Sequence, residues 1–281
     1  MEPASLAVSI VGLAGLFSTC IEGLEYVQLG KQFGKDYGKC LLRVDASKLR
    51  LSRWAESVGL MHPESAERYK ASLSQDEYKL VQNLLEQIRD SLQDAKENST
   101  RYEKRIKTKD PETTSLAVYD PVNDLAPQFQ NLHLTLRTQA AQRQMGASFL
   151  TKAKWALYEK KKFDNMIEEI NDSIAELVDM FPATLEDQKA SSKQEIQGLE
   201  ETQDLALLKE VAQDDEILMD AVKDLAEQRG HSFQDLVFTG SSVHAGDINE
   251  AGVAGKGHSY TRINVSDRSK VHLGNVNRGR G

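Results

Sequence analysis

The stretch G-H-S-F-Q-D-L-V-F-T-G-S-S-V-H-A-G-D-I-N, Gly230 to Asn249, is answered a few residues later by G-H-S-Y-T-R-I-N-V-S-D-R-S-K-V-H-L-G-N-V-N, Gly257 to Asn277. With one residue inserted in the second copy near Arg268, the two pair position by position. Gly230, His231 and Ser232 match Gly257, His258 and Ser259; Phe233 matches Tyr260, Leu236 matches Ile263, and Phe238 matches Val265. Beyond the insertion Val243-His244 matches Val271-His272, Gly246 matches Gly274, Ile248 matches Val276, and Asn249 matches Asn277. Repetition at this period signals stacked units, each too small to bury its own apolar face.

Inside each copy the apolar residues alternate at the period of a strand, as in Leu236 and Phe238 or Ile263 and Val265. Glycine and asparagine supply the corners. A stack of such coils forms backbone hydrogen bonds along its axis, about 4.8 Å per layer, and sets like side chains on like. The expected amyloid core is Phe233, Leu236, Phe238, Val243 and Ile248 from the first copy, with Tyr260, Ile263, Val265, Val271, Leu273 and Val276 from the second. Asp235 falls opposite Arg262, so charges of opposite sign alternate up the stack. Asn249 falls opposite Asn277, which suits an amide ladder. The bridge between copies, Glu250 to Lys256, is small and flexible enough to step from one layer to the next. Two layers alone leave their edges open. The isolated tail is therefore expected to be disordered until a template converts it to a β-solenoid of two layers per chain.

On the amino-terminal side of Gly230 the pattern is helical. From Asp36 onward Leu41, Val44, Leu49, Leu51 and Trp54 are expected on or near one side at helical spacing, with Lys and Arg elsewhere. Gly59, His62 and Pro63 break that run. Ser74 and Glu77 then form a capping box ahead of the stripe Tyr78, Val81, Leu84, Leu85, Ile88 and Leu92. Residues 108–127 hold three of the six prolines and read as a loop, with a short extended piece at Ser115–Tyr119. Helical pattern resumes over Gln128–Gln144, over Phe149–Trp155 and along Phe163 to Pro182; one helix or a pair is expected over Leu185–Gln228. The expected organisation is an all-α bundle over residues 1–229 and a repeat domain over 230–281, with copies at 230–249 and 257–277.

Charge follows the same division. The chain carries −8 overall. From Gly230 onward six Lys/Arg oppose four Asp/Glu, which makes the tail +2 and leaves −10 for residues 1–229. That balance speaks against a dedicated nucleic-acid binder. Two Arg-Gly pairs at the end, in N-R-G-R-G, are too few to suggest an RNA-binding tail. Cys20 and Cys40 make neither a disulfide framework nor a metal site, and a reducing cytosol fits them. The four tail histidines recur because the repeat recurs, and no thiol or carboxylate completes a metal site around them. No phosphate-binding glycine loop, H-E-x-x-H or G-x-S-x-G is present, and His62 and His133 stand alone. No catalytic residue, cofactor or metal is expected.

The amino end is unusual in another way. No charged residue occurs from Pro3 to Ile21, a span of about 28 Å as a helix and close to the thickness of a bilayer core. Ser5, Ser9, Ser18, Thr19, Gly12 and Gly15 dilute it. Two readings follow: the first helix of a soluble bundle, or a conditional segment that enters a membrane through Leu6, Val8, Ile10, Val11, Leu13, Leu16, Phe17 and Ile21.

The tail resembles the amyloid motifs of the HET-s/HET-S prion family of filamentous fungi, with both copies present. The amino-terminal part resembles that family's HeLo domain, in L-F-S-T-C-I-E-G-L-E-Y-V-Q-L-G-K (Leu16–Lys31), F-G-K-D-Y (Phe33–Tyr37), L-R-L-S-R-W (Leu49–Trp54) and K-W-A-L-Y (Lys154–Tyr158). The departures are a short linker between copies and Ala245 where the second copy has Leu273. The resemblance implies a two-part device of heterokaryon incompatibility. A homologous motif on another protein would template the tail, the forming solenoid would crowd the HeLo domain, and the apolar amino-terminal segment would leave the core for the cell membrane. The protein would be cytoplasmic at rest and would partner with itself, with the templating protein and, once active, with membrane. A prion-forming scaffold or inhibitory partner that propagates amyloid without entering the membrane would need the same tail. A helical adaptor with a disordered binding tail is the third reading.

Overall fold

The computed structural model describes 281 residues except 1–2, 62–73, 110–115, 144–153, 198, 200–201, 230–231, 235–236, 240–241, 246–247, 250–258, 268, 275 and 278–281. The chain divides into two compact units, Met1–Met219 and Asp220–Gly281. The division falls inside the last helix.

The first unit is helical and is organised around one central helix. Its elements are α1 (Pro3–Glu25), β1 (Val27–Leu29), α2 (Tyr37–Ser57), α3 (Gln75–Lys109), α4 (Pro127–Arg143), β2 (Trp155–Leu157), α5 (Lys160–Asp179), α6 (Leu185–Gln197), α7 (Thr202–Val211) and the start of α8 (Glu216–Arg229). A 3-10 turn over Lys31–Asp36 leads from β1 into α2. Helix α2 packs against α1, α4, α5, α6 and α7, so 17 of its 21 residues are buried. Its apolar residues Leu41, Leu42, Val44, Leu49, Leu51 and Trp54 lie all round the helix, as a helix enclosed on every side requires.

Helix α3 shows how the local sequence builds an element. The Ser74 backbone N–H donates to Glu77 Oε2 at 2.7 Å, and the Glu77 N–H donates to Ser74 Oγ at 3.2 Å, which closes the expected capping box. Asp76 and Glu77 sit in the first turn and Lys107 and Lys109 in the last, each matched to its end of the helix dipole. Val81, Leu84, Leu85, Ile88, Leu92 and Ala95 form one buried face against α1 and α5. Phe163, Met166, Ile167, Ile170, Ile174 and Leu177 answer from α5.

Three local expectations are corrected. Trp155 lies in a strand, β2, which pairs in parallel with β1 through Val27↔Trp155, Gln28↔Ala156 and Leu29↔Leu157. Two three-residue strands far apart in sequence carry too short an alternation to register against the helical pattern around them. The Leu185–Gln228 region holds three helices, because the run turns twice between its amphipathic pieces. The apolar residues of α2, expected on or near one side, lie all round it, and three of its five cations are inside: Lys48 is 4% exposed, Arg50 8% and Arg53 1%, while Lys39 is exposed and Arg43 half-buried. The extended piece within residues 115–119 is present as an antiparallel bridge between Gly30 and Val118. His62 and Pro63 lie outside the described residues, as do residues 144–153.

The second unit continues α8 and then turns to short strands: β3 (Ser232–Gln234), β4 (Val237–Thr239), β5 (Ser242–Ala245), β6 (Ile248–Asn249), β7 (Ser259–Thr261), β8 (Asn264–Ser266), β9 (Lys270–Leu273) and β10 (Val276–Asn277). They form four parallel pairs, β3 with β7, β4 with β8, β5 with β9 and β6 with β10. The described tail is thus strand-paired in the single chain, where the isolated sequence is expected to be disordered. Each strand finds its partner in the other copy, so the two layers satisfy one another's inward-facing backbone groups.

Candidate functional site: the paired repeats and the buried first helix

The strand register coincides with the sequence alignment of the two copies. Ser232 pairs with Ser259, Phe233 with Tyr260 and Gln234 with Thr261. Val237 pairs with Asn264, Phe238 with Val265 and Thr239 with Ser266. Ser242 pairs with Lys270, Val243 with Val271, His244 with His272 and Ala245 with Leu273. Ile248 pairs with Val276 and Asn249 with Asn277. Like side chains meet at several rungs: the Thr239 and Ser266 hydroxyls lie 3.3 Å apart, and the His244 and His272 rings stack with centroids 5.0 Å apart.

Three of the described turn residues of the tail hold a left-handed backbone. Gly274, between β9 and β10, has φ +113°, and its N–H donates to the Ala245 carbonyl at 2.9 Å. Arg262 and Asp267, between β7, β8 and β9, hold φ of 55° and 52°. That is uncommon for a residue with a side chain and marks a bend rather than a continued strand. Arg262 is exposed, Ile263 half-buried, and Asp235 and Leu236 lie outside the described residues. The opposition of Asp235 and Arg262 therefore rests on the sequence alignment. Of Phe233, Phe238, Ile248, Asn249, Tyr260 and Asn277 only the backbone is described.

Both layers are incompletely covered, and Val237 of the first copy is 67% exposed. Val265 is 51% exposed, Leu273 42% and Val276 37%, while Val243 and Val271 are half-buried. Apolar side chains at the end of a two-layer stack have no further layer above them.

The first helix is held in the bundle by packing. Leu13, Phe17, Cys20, Ile21 and Leu24 are buried, Leu16 is half-buried, and Gly12 and Gly15 are exposed. Leu6, Val8, Ile10 and Val11 belong to α1, but their side chains lie outside the described residues. Cys20 Sγ donates to the Leu85 carbonyl of α3 at 3.2 Å. Burial pushes the Cys20 thiol up to about 12 and the Cys40 thiol to about 11, so neither is a nucleophile near neutral pH. Glu25, the last residue of α1, is paired with Lys48 of α2 and Arg137 of α4. Among the described residues no helix is long and apolar enough to cross a membrane.

Sequence reasoning missed the charged interior. Arg53 pairs with Asp215 and with Glu195 at 3.3 Å, and Glu195 pairs with Arg143 at 2.6 Å. Nearby, His133 Nδ1 lies 2.6 Å from Asp45 Oδ2, both groups buried. Burial holds the Asp45 carboxyl above the usual carboxylate range, and the His133 hydrogen bond works against that shift. The available signal was the spread of apolar residues round α2, which leaves little outer face for its cations.

The chain matches the family model HeLo, described as prion-inhibition and propagation, over residues 5–208. Heterokaryon incompatibility protein S of Podospora anserina is 33% identical over 212 residues, covering 75% of this chain and 70% of that protein. Heterokaryon incompatibility protein s of the same species is 32% identical over the same shares. The solved HET-s N-terminal domain is 30% identical, with a TM-score of 0.66 over 75% of this chain and 95% of that one. A doubly substituted form of that domain matches with the same TM-score and 97% coverage of its chain.

Proposed function

The chain belongs to the HeLo family, and from that premise we propose that it is an amyloid-templated effector of heterokaryon incompatibility. In this reading the tail extends its two-layer pairing onto a template, either another copy of the chain or a homologous motif on a different protein. Growth of that stack then rearranges the helical unit and releases the apolar segment from Pro3 to Ile21 toward the cell membrane. The protein would wait in the cytoplasm and relocate when templated. The observation that carries the reading is the parallel, in-register pairing of the two copies, Phe233 on Tyr260 through Asn249 on Asn277. A structure whose rungs repeat in parallel can be lengthened by any chain bearing the same rungs.

A second reading is a prion-forming scaffold that propagates the stack and never enters a membrane. The burial of Leu13, Phe17 and Ile21 favours it, since that surface must leave the core before it can meet lipid. Leakage of dye from liposomes, measured for the full chain with and without preformed fibrils of residues 230–281, separates the two. The effector reading expects leakage only with fibrils. Seeded growth with intact liposomes would leave the scaffold, and no seeded growth would remove both.

A further inference from the structure

We infer that the end of the helical unit built around the β1–β2 sheet is a docking face for anionic phospholipid. Its contacts are Arg101, Lys104 and Arg105 of α3 with Lys161 and Lys162 of α5. The inference deepens the effector reading above and rests on it. Three elements meet at this end. Ser99 Oγ of α3 donates to the Ala156 carbonyl of β2, Tyr158 Oη donates to Glu103 at 2.9 Å, and the Tyr102 and Tyr158 rings stack with centroids 5.7 Å apart. Ser91 bonds to Glu169 and Ser173 to Gln87, so α5 runs antiparallel to α3. Its first turn therefore lies beside the carboxyl-terminal half of α3. Lys96 lines one cavity with Tyr26 and Trp155, where α1 passes into β1.

Cations collect here in a unit that is otherwise acidic. Residues 1–229 carry −10, yet residues 96–109 and 154–162 hold ten Lys/Arg against Glu97, Glu103 and Glu159. Asp110 and Glu112 follow α3 outside the described residues, and counting both still leaves twice as many cations as acids. No residue of α3 beyond Ser99 is buried, and Arg101, Lys104 and Arg105 are exposed at a spacing that sets them on one face. Lys160 is held by Asp36 and Asp164. Lys161 and Lys162 are exposed in the first turn of α5, the positive end of its dipole, where lysine opposes the helix and Asp or Glu would favour it. Helix stability alone does not account for lysines at this place. Farther along the same two helices Asp90, Asp94, Glu169, Asp172 and Glu176 line an acidic groove. The helix pair is thus polarised, and an anionic leaflet attracts one end and repels the rest. The attracted end is the one at which α1 continues into β1, so a bilayer bound there is the one α1 would meet on leaving the core.

The test is co-flotation of the full chain with liposomes of phosphatidylcholine alone or with about one-third phosphatidylserine. The parent is expected to bind the anionic liposomes about tenfold more tightly, and salt at about 0.5 M to abolish the difference. Lys161→Glu with Lys162→Glu is expected to keep or raise the thermal unfolding temperature, since it suits the helix dipole, and to weaken anionic binding about tenfold. Arg101→Gln with Lys104→Gln is the second probe, expected to weaken it about fivefold. Lys79→Glu with Lys189→Glu makes the same change in net charge as the first probe, elsewhere on α3 and on α6, and is expected to bind within about twofold of the parent. With preformed fibrils of residues 230–281, the first probe is expected to release dye from anionic liposomes about tenfold more slowly than the parent, with seeded growth unchanged. Equal binding of the parent to both liposomes overturns the inference. So does unchanged binding by both probes, or full displacement by polyuridylate at equal phosphate concentration. The effector reading stands in each of those cases if fibrils still trigger leakage. Leakage by the parent from neither liposome removes that reading and this inference with it.

Discussion

Arg53 and Asp215 meet as an ion pair inside the helical unit, and the same Asp215 carboxylate accepts the Leu218 backbone N–H at 3.2 Å. One side chain thus neutralises a buried cation of the central helix and caps the helix that leads toward the repeats. Asp215→Ala removes both roles. It is expected to lower the unfolding free energy by about 1.5–3 kcal/mol, because Arg53 keeps Glu195 as a partner but loses a charge-assisted hydrogen bond. Urea denaturation checks this, and a loss below about 1 kcal/mol would mean that the Arg53 guanidinium finds water or another acid.

Gly15 offers a probe of membrane entry that spares the resting fold. It is exposed on α1, and a Cβ built there meets no atom within 4 Å. Gly15→Lys should therefore keep or raise bundle stability, since glycine costs about 1 kcal/mol in a helix interior. The same lysine, near the middle of the uncharged run, costs roughly 2.5–3.5 kcal/mol on insertion into a bilayer. The expected outcome is normal thermal unfolding, normal seeding and loss of liposome leakage. A variant that still permeabilises liposomes would move the inserting element elsewhere. Leu13→Lys is the poorer probe, because Leu13 is fully buried and the substitution would unfold the bundle first.

Asp45 predicts a pH dependence. Burial raises its carboxyl above the usual range in the folded state. A group raised in this way contributes stability that is present below its unfolded value and is lost as the pH rises through its folded value. Asp45→Asn cannot ionise, so the variant should lose less stability than the parent between pH 4 and pH 8, measured by denaturant midpoint across that range. Parallel profiles would show that the His133 hydrogen bond cancels the effect of burial.

The alignment of Asp235 with Arg262 is tested by charge exchange. Asp235→Arg should slow fibre growth, and adding Arg262→Asp should restore much of it. Exposed pairs of this kind contribute about 0.2–1 kcal/mol each, repeated at every layer. Equal growth rates for the single and double variants would remove the proposed opposition.

The parts of the fold legible in the sequence were those whose cause is local. Ser74 and Glu77 announce a helix start within four residues, and the stripe from Val81 to Leu92 repeats one face for three turns. The rungs from Phe233 on Tyr260 to Asn249 on Asn277 follow a repeat that can be aligned by eye. What stayed hidden depends on partners far along the chain. Arg53 reads as a surface cation until Glu195 and Asp215 arrive from more than 140 residues away. Trp155 reads as helical because its strand partner is Val27. The first helix was legible as apolar, but its Glu25 end was not legible as anchored, since Lys48 and Arg137 come from two other helices.

The small parallel sheet carries a consequence for how far the amino end can travel. The Tyr26 carbonyl accepts the Trp155 N–H at 3.1 Å, Gly30 donates to the Leu157 carbonyl at 2.7 Å, and Tyr119 donates to the Leu29 carbonyl at 2.8 Å. These bonds hold the backbone immediately after α1 from both sides, whereas the peptide groups of α1 are satisfied along its own axis. The 23 residues of α1 are therefore a rod on a fixed pivot at Tyr26. Swinging out would cost side-chain contacts and the Glu25 ion pairs while leaving the sheet's backbone bonds intact. A rod of that length reaches about 34 Å from the pivot, against a hydrocarbon thickness of about 30 Å. Glu22 and Glu25, set at the pivot end, would then mark the waterline.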